Sequence, residues 1–239
     1  MEFHTRPGFI HHQKSSLLDS LREIVFGAED GMVSTLGALT GIVAGTSNHF
    51  TVVLAGFVIV TVESISMAVG SYLSIKSSRD VDARKLYEES IELRENTDYE
   101  RKELVAMFVR DGWPEKLAAD MAQVASENKD LFLKEMAYRE LYISPHEAES
   151  PLRGGIFMFI SYLIGGSVPL VPYILLPIPI AFVTSVIVTL CGLFLLGALT
   201  TKFTKRSWWK SGLEMLGLAS IAAIVGYTIG TVAERIVPR

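Results

Sequence analysis

The stretch VVLAGFVIVTVESISMAVGSYLSI, residues 52–75, decides the fold of this chain. It is an apolar run long enough to cross a bilayer as a helix, which takes about 20 residues. From Gly31 to Ile75 the one formally charged residue is Glu63, four positions before Met67. Because a carboxylate at bilayer depth costs roughly 2.5 to 3.5 kcal/mol, such a residue is rarely kept without a partner or a function. The stretch therefore predicts a membrane-spanning helix that lines an ion pathway.

Charge is distributed unevenly along the 239 residues. Hydrophobic residues make up 49% of the chain and the mean hydropathy is +0.35, yet 20% of the residues are charged. Residues 76–153 hold 18 of the 26 acidic and 13 of the 22 basic side chains, whereas residues 154–201 hold none. This separation is typical of a polytopic membrane protein with a large aqueous part.

The segment at residues 29–47 precedes the stretch 52–75 and is also predicted to form a span, and two further apolar segments complete the predicted membrane part. Residues 154–201 are long enough for two spans, with a turn marked by the prolines between Pro169 and Pro179. From Ser211 to Ala233 the one charged residue is Glu214. The expected fold is an all-α polytopic membrane protein with five transmembrane helices, at residues 29–47, 52–75, 154–172, 178–200 and 211–233.

Basic residues predict the orientation and the domain order. They follow the second and fourth spans, whereas the connections at 46–51 and 169–179 contain none. By the positive-inside rule, the N-terminus and the acidic insert face the cytoplasm and the C-terminus lies outside. The predicted domains are a cytoplasmic N-terminal segment, helices 1 and 2, a cytoplasmic acidic helical metal-binding domain, helices 3 to 5 and a non-cytoplasmic tail, at residues 1–28, 29–75, 76–153, 154–233 and 234–239.

The start of the first span carries acidic residues and then glycines. Glu23 and Asp30 are seven residues apart, so a helix presents both on one face, two turns apart. They are either part of an ion path or ordinary solvated charges at the membrane boundary. Gly37, Gly41 and Gly45 follow at four-residue spacing, which permits close packing against another helix.

Glu63 and Met67 form the first pair of candidate ligands. At positions i and i+4 they project from the same face of a helix. Carboxylate oxygens alone suit Mg²⁺ or Ca²⁺, whereas an added thioether sulfur shifts the preference toward transition metals such as Fe²⁺. The alternative for Met67 is simple core packing.

Four glutamates in the insert share one helix face. At about 100° per residue they fall within an arc of roughly 80°, provided that a single continuous helix carries them. Such a stripe either faces water or is neutralised by cations. These residues are Glu89, Glu92, Glu100 and Glu103.

A second amphipathic segment, residues 114–142, adds another sulfur and carboxylate pair. Met136 and Glu140 stand at i and i+4. Together with the glutamate stripe they predict a site with several carboxylates and a soft ligand, suited to a divalent metal.

Four motifs in order along the chain resemble the vacuolar iron transporter family. They are GAEDGMVSTLGALTGIVAG at 27–45, SISMAVGSYLSIKSSRDV at 64–81, KEMAYREL at 134–141 and VPLVPY at 168–173. The resemblance implies five spans, a cytoplasmic metal-binding insert, a homodimer, and exchange of Fe²⁺, sometimes Mn²⁺, for protons.

The resemblance also implies roles for individual residues. Asp30 and Met67 match the family's translocation aspartate and methionine, and Glu23 matches an acid near the cytoplasmic mouth. The insert residues match its metal ligands, namely Glu89, Glu92, Glu100, Glu103, Met136 and Glu140. Ile59 and Ala137 depart from the pattern, since they stand where better-known members have a glutamate and a second methionine. We hypothesise that Glu63, one turn after Ile59, replaces the missing carboxylate.

The predicted function is therefore export of cytoplasmic divalent transition metal by proton antiport. Fe²⁺ or Mn²⁺ would be the cargo and would also bind to the insert. No prosthetic group and no nucleic-acid partner are expected. The expected location is a microbial plasma membrane. A membrane-tethered metal sensor or buffer is the alternative, although an anchor has no use for Glu63. An enzyme is not expected, because the chain contains no HExxH or GxSxG motif and no phosphate-binding glycine loop.

Overall fold

The computed structural model describes residues 20–143 and 150–236 of the chain. These residues form α-helices, which confirms the all-α class: α1 Leu21–Gly45, α2 His49–Glu95, α3 Thr97–Arg110, α4 Glu115–Ser126, α5 Lys129–Arg139, α6 Pro151–Leu175, α7 Ile178–Thr204 and α8 Trp208–Ile236. The predicted N-terminal segment up to residue 19, positions 144–149 of the predicted insert and the tail beyond 236 lie outside the described residues.

Three of the described helices are long and apolar enough to cross a membrane, namely α2, α6 and α7. The apolar run of α1 extends from Gly31 to Gly45 only, because three acidic residues precede it and the helix ends there. That run is shorter than the about 20 residues that a span needs. The protein is thus an α-helical membrane protein, and the five-span topology stays a prediction.

The chain divides into two compact units. The first consists, within the described residues, of positions 20–72 and 151–236, and is called the membrane unit below. The second is Leu73–Ser150 and is called the insert unit. The long helix α2 contributes its first part to the membrane unit and its last part to the insert unit.

Glycines bring α1 and α8 into close contact. A Cβ at Gly226 or Gly230 would collide with the backbone of Gly37 or Gly41, and a Cβ at Gly41 would lie 2.9 Å from the Gly226 carbonyl oxygen. The predicted tight packing of the α1 glycines is confirmed for Gly37 and Gly41. Their partner helix, which the sequence pattern left open, is α8.

A second close contact joins α1 and α6. A Cβ at Gly31 would lie 2.5 Å from the Tyr162 carbonyl oxygen and 2.8 Å from the Gly166 nitrogen. Only a residue without a side chain allows the two backbones to approach this far. The contact fixes Tyr162 of α6 beside the middle of α1.

The turn predicted to begin at Pro169 begins later. Pro169 and Pro172 lie buried inside α6, which continues to Leu175, and Pro177 precedes α7 as its N-cap. Ser185 of α7 donates a hydrogen bond to the Pro169 carbonyl oxygen at 2.7 Å. This bond joins α7 to α6 at Pro169.

The insert unit packs around an apolar core. Its most buried members come from α3, α4 and α5 and from the end of α2: Leu93, Leu104, Met107, Phe108, Ala118, Ala122, Ala125, Phe132 and Met136. Asn128 is the N-cap of α5, because its side-chain oxygen accepts hydrogen bonds from the backbone N–H groups of Asp130 and Leu131. This N-cap separates the predicted amphipathic segment 114–142 into two helices.

Candidate metal centre

Three glutamates of the insert unit converge. Glu89 of α2, Glu100 of α3 and Glu140 after α5 each offer a carboxylate oxygen, and these three oxygens lie within 4.8 Å of one another. Glu89 and Glu100 are 4% and 5% exposed, although both are acidic. Because buried charges are normally paired or coordinate metals, this cluster is the best candidate metal centre of the described insert.

The predicted single helix for the glutamate stripe is wrong. Helix α2 ends at Glu95 and α3 begins at Thr97, with Asn96 between them at φ −127° and ψ 35°. Glu89 and Glu100 are eleven residues apart, a separation of about 16 Å along a continuous helix. The break at Asn96 is therefore what turns a stripe into a cluster.

The carboxylates perturb one another. Burial raises the pKa of Glu89 to about 7, with further contributions from the charges of Glu140 and Glu100. The pKa values of Glu100 and Glu140 are also raised, mainly by burial and then by the neighbouring Glu103. All three shifts have the sign expected for buried acids whose charged neighbours are also acidic.

Two buried carboxylate oxygens in the cluster, Glu89 Oε1 and Glu140 Oε2, lack a hydrogen-bond partner among the described residues. A buried polar atom left unpaired costs roughly 1 to 3 kcal/mol, more when it is charged. A divalent ion would neutralise the negative charge and satisfy both oxygens, so the donor set suits a metal.

The other predicted ligands of the insert lie close to the cluster or in the core. The charges of Glu92 and Glu103 act on Glu89, Glu100 and Glu140, which places all five carboxylates in one electrostatic group. Met136 is fully buried in the apolar core, one turn before Glu140. Its side chain packs against the helices that carry the carboxylates.

Arg139 anchors the end of α5 beside this group. It forms ion pairs with Asp111 and with Glu135, the latter at 3.2 Å, and its guanidinium lies 4.3 Å from the centre of the Phe108 ring. These contacts join α5 to α3 immediately before Glu140. Sequence reasoning did not identify Arg139, since nothing in its neighbourhood along the chain points to Asp111 or Phe108.

A second polar group lies inside the membrane unit, around Glu63. Ser34 of α1 donates a hydrogen bond to Glu63 Oε2 at 2.9 Å, and the hydroxyl of Tyr162 of α6 donates to the same oxygen. The Ser34 and Tyr162 hydroxyls are also within hydrogen-bond distance of each other. Among the described residues, both hydrogen bonds to the Glu63 carboxylate reach this one oxygen, Oε2.

Of the remaining predicted pathway residues, the structure brings Asp30 within electrostatic range of Glu63. Asp30 is half-buried, and its charge interacts with that of Glu63. Met67 lies one turn after Glu63 on α2 and is half-buried. Glu23 is 2% exposed and pairs with its neighbour Arg22 at 2.9 Å, so it is not the solvated charge that was the alternative for it.

Ser34 and Tyr162 were missed at the sequence level. Tyr162 carried one signal, because a tyrosine inside an uncharged apolar segment needs a partner for its hydroxyl. The identity of that partner was not readable, since Tyr162 and Glu63 are 99 residues apart.

These features define a class of protein: a helical integral membrane protein whose apolar helices hold a hydrogen-bonded carboxylate and whose insert carries a cluster of carboxylates. The sequence model of the VIT family matches residues 21–231. The chain belongs to the VIT family.

Curated relatives match over nearly the whole chain. It is 27% identical to "Vacuolar iron transporter 1" of Arabidopsis thaliana over 238 residues, 95% of each chain. It is 29% identical to "Vacuolar iron transporter 1" of Eucalyptus grandis, covering 87% of this chain and 84% of that protein. It is 25% identical to "Vacuolar iron transporter" of Plasmodium falciparum, covering 91% and 83%. The resemblance found in the four motifs is confirmed.

Proposed function

We propose that this protein exports divalent transition metal, Fe²⁺ and also Mn²⁺, from the cytoplasm by proton antiport. The observation that carries the proposal is the carboxylate of Glu63 inside the membrane unit, which accepts hydrogen bonds from Ser34 and Tyr162. Membership of the VIT family and similarity to proteins named vacuolar iron transporters support metal as the cargo.

The ion path is assigned to Glu23, Asp30, Glu63 and Met67. Asp30 and Glu63 interact electrostatically, so their two negative charges favour a divalent cation or protons between them. A metal ion that binds Glu63 Oε1 displaces a proton from the pair, and a proton that returns releases the metal. Met67 adds a thioether sulfur, which shifts the preference from Mg²⁺ toward transition metals such as Fe²⁺.

Ser34 and Tyr162 position the carboxylate for this exchange. Two hydroxyl donors stabilise Glu63 when it is ionised, and either hydroxyl can accept the hydrogen bond when Glu63 is protonated. The carboxylate therefore keeps a partner in both states. This arrangement lowers the cost of holding an ionised group within the apolar helices.

The insert is assigned the collection of cytoplasmic metal. Its ligands are Glu89, Glu100 and Glu140, with Glu92 and Glu103 adding negative charge and Met136 adjoining the site. The expected assembly is a homodimer in a microbial plasma membrane, with the insert in the cytoplasm. These finer assignments rest on the sequence pattern and on the family.

The test is metal uptake into proteoliposomes with an imposed pH gradient. Wild type is expected to take up Fe²⁺ and Mn²⁺ faster with the gradient than without it, and Asp30→Asn is expected to lose uptake. Metal binding by the full-length variant in detergent is expected to persist, because the insert ligands are intact. Loss of both properties would argue that Asp30 maintains the fold.

A metal sensor or buffer without transport is the second candidate. The observation that favours it is that the three converging glutamates lie entirely in the insert unit. In that case, well-folded wild type would bind metal in a manner sensitive to Glu89→Gln, yet proteoliposomes would show no uptake under any gradient.

A further inference from the structure

A cavity at one end of the membrane unit is separate from both carboxylate groups described above. It has a volume of about 610 Å³ and lies between the start of α1, the end of α7 and the start of α8. Two basic and two acidic side chains line it, namely Arg22, Arg206, Glu29 and Glu214. The cavity therefore offers cationic and anionic groups at once.

The charged side chains of the cavity are accessible. The side chains of Arg206 and Glu214 are 64% and 61% exposed, and their charged ends are 3.5 Å apart. The Arg22 side chain is 72% exposed. Arg22 pairs with the buried Glu23 at 2.9 Å. The Arg206–Glu214 pair is exposed, so a ligand can replace it at small cost.

Hydroxyl oxygens add acceptors to the wall. Thr200 donates its hydroxyl proton to the Gly197 carbonyl oxygen at 2.8 Å, and Thr204 donates to the Thr200 carbonyl oxygen at 3.3 Å. Each hydroxyl oxygen keeps lone pairs after this donation. Together with the two carboxylates, these oxygens suit a ligand that carries several N–H donors.

The cavity lies where the apolar part of α7 ends. The apolar stretch of that helix extends from Ile178 to Lys202, and the cavity begins at Thr200. Trp208 and Trp209, 56% and 53% exposed, lie between Arg206 and Lys210 along the chain. Exposed tryptophans beside basic residues are typical of the level of the lipid headgroups.

We propose that this cavity binds the headgroup of phosphatidylethanolamine. Arg22 and Arg206 contact the phosphodiester, since guanidinium groups form charge-assisted hydrogen bonds with phosphate oxygens. Glu29, Glu214 and the threonine oxygens accept from the primary ammonium. A net anionic headgroup would face the repulsion of two carboxylates, and a choline headgroup has no N–H to donate to them. The proposal concerns a lipid and does not depend on metal transport.

The experiment is a lipid competition with the full-length protein in detergent. The protein is incubated with an equal mixture of phosphatidylethanolamine, phosphatidylcholine and phosphatidylglycerol of identical acyl chains, and retained lipid is measured by native mass spectrometry. Phosphatidylethanolamine is expected to exceed phosphatidylcholine about tenfold, because its ammonium donates charge-assisted hydrogen bonds to the carboxylates and the choline group does not.

Three variants locate the site. Glu214→Gln is expected to remove the preference over phosphatidylcholine, and Arg206→Gln is expected to reduce retention of both lipids. Arg84→Gln is the matched control, because Arg84 forms an exposed ion pair with Glu88 in the insert unit. Equal retention of the three lipids by wild type, a preference for phosphatidylglycerol, or an unchanged preference in Glu214→Gln would each overturn the proposal.

Discussion

Replacing Glu89 by glutamine is expected to change metal affinity and the stability of the metal-free protein in opposite directions. Glu89 is 4% exposed, and burial raises its pKa to about 7. Above that pH the ionised Glu89 carboxylate therefore lowers the free energy of unfolding of the metal-free protein. Glutamine keeps the shape without the charge. Since one pKa unit corresponds to about 1.4 kcal/mol, and solvent screens part of it, the variant gains about 1 to 3 kcal/mol of stability at pH 8.

The same substitution is expected to weaken metal binding strongly. It removes one of three converging carboxylates. Loss of a group that merely orients a ligand costs about 10-fold to 100-fold in metal affinity, so loss of a ligand costs about a hundredfold or more. The assay is Mn²⁺ titration calorimetry on the full-length protein in detergent, combined with thermal unfolding with and without Mn²⁺.

Glu88→Gln is the matched control for this prediction. Glu88 precedes Glu89 on α2, and its side chain is 53% exposed in an ion pair with Arg84. Its removal is expected to leave Mn²⁺ affinity unchanged and to alter stability by less than about 1 kcal/mol. A Glu89→Gln protein that is less stable without metal and binds Mn²⁺ normally would refute the assignment of the cluster as a metal site.

Three more results are expected. Tyr162→Phe keeps the packing of the ring but removes one donor to the intramembrane carboxylate, so metal uptake into proteoliposomes falls about tenfold. The free energy of unfolding of the metal-free wild type, minus that of Glu89→Gln, is highest below about pH 4.5, falls as the pH rises through about 7, and is then constant. The reason is that the pKa of Glu89 is higher in the folded than in the unfolded protein. Thermal unfolding of both proteins across this pH range measures the difference. Gly226→Ala lowers the free energy of unfolding by about 1 to 3 kcal/mol, because its Cβ meets the backbone of α1, and thermal unfolding measures this as well.

Two of these results have a matched control within the chain. Tyr173→Phe also alters a buried tyrosine of α6, and transport equally slow in both variants would contradict a specific role for Tyr162. Gly217→Ala adds a Cβ that meets no atom within 4 Å among the described residues, and equal unfolding temperatures for it and Gly226→Ala would contradict the α1 and α8 contact. A pH profile of stability with the opposite slope would show that Glu89 is not a buried acid.

Local patterns predicted the composition of the carboxylate groups but not their geometry. The spacing of Glu89, Glu92, Glu100 and Glu103 identified the acidic residues, because charge spacing is a property of neighbouring residues. The break at Asn96 carries no strong signal, since asparagine is neither proline nor glycine. Without that break the stripe cannot converge with Glu140.

Contacts between distant segments were beyond a single sequence. The spacing of Gly37 and Gly41 predicted close packing, yet any helix with small residues would serve as a partner, and the partner is α8. Ser34 and Tyr162 are 128 residues apart, and their meeting at Glu63 depends on the register of three helices. Hydropathy sets that register only loosely.

Proton-coupled metal transport through Glu63 is tested most directly by recording lumenal metal and lumenal pH in the same proteoliposomes. Mn²⁺ is added outside vesicles that contain a metal indicator and a pH indicator, with wild type, Glu63→Gln and Glu88→Gln compared. The account predicts Mn²⁺ influx with simultaneous alkalinisation of the lumen in wild type and Glu88→Gln, and loss of both signals in Glu63→Gln. Mn²⁺ influx without a pH change, or coupled fluxes undiminished in Glu63→Gln, would contradict it.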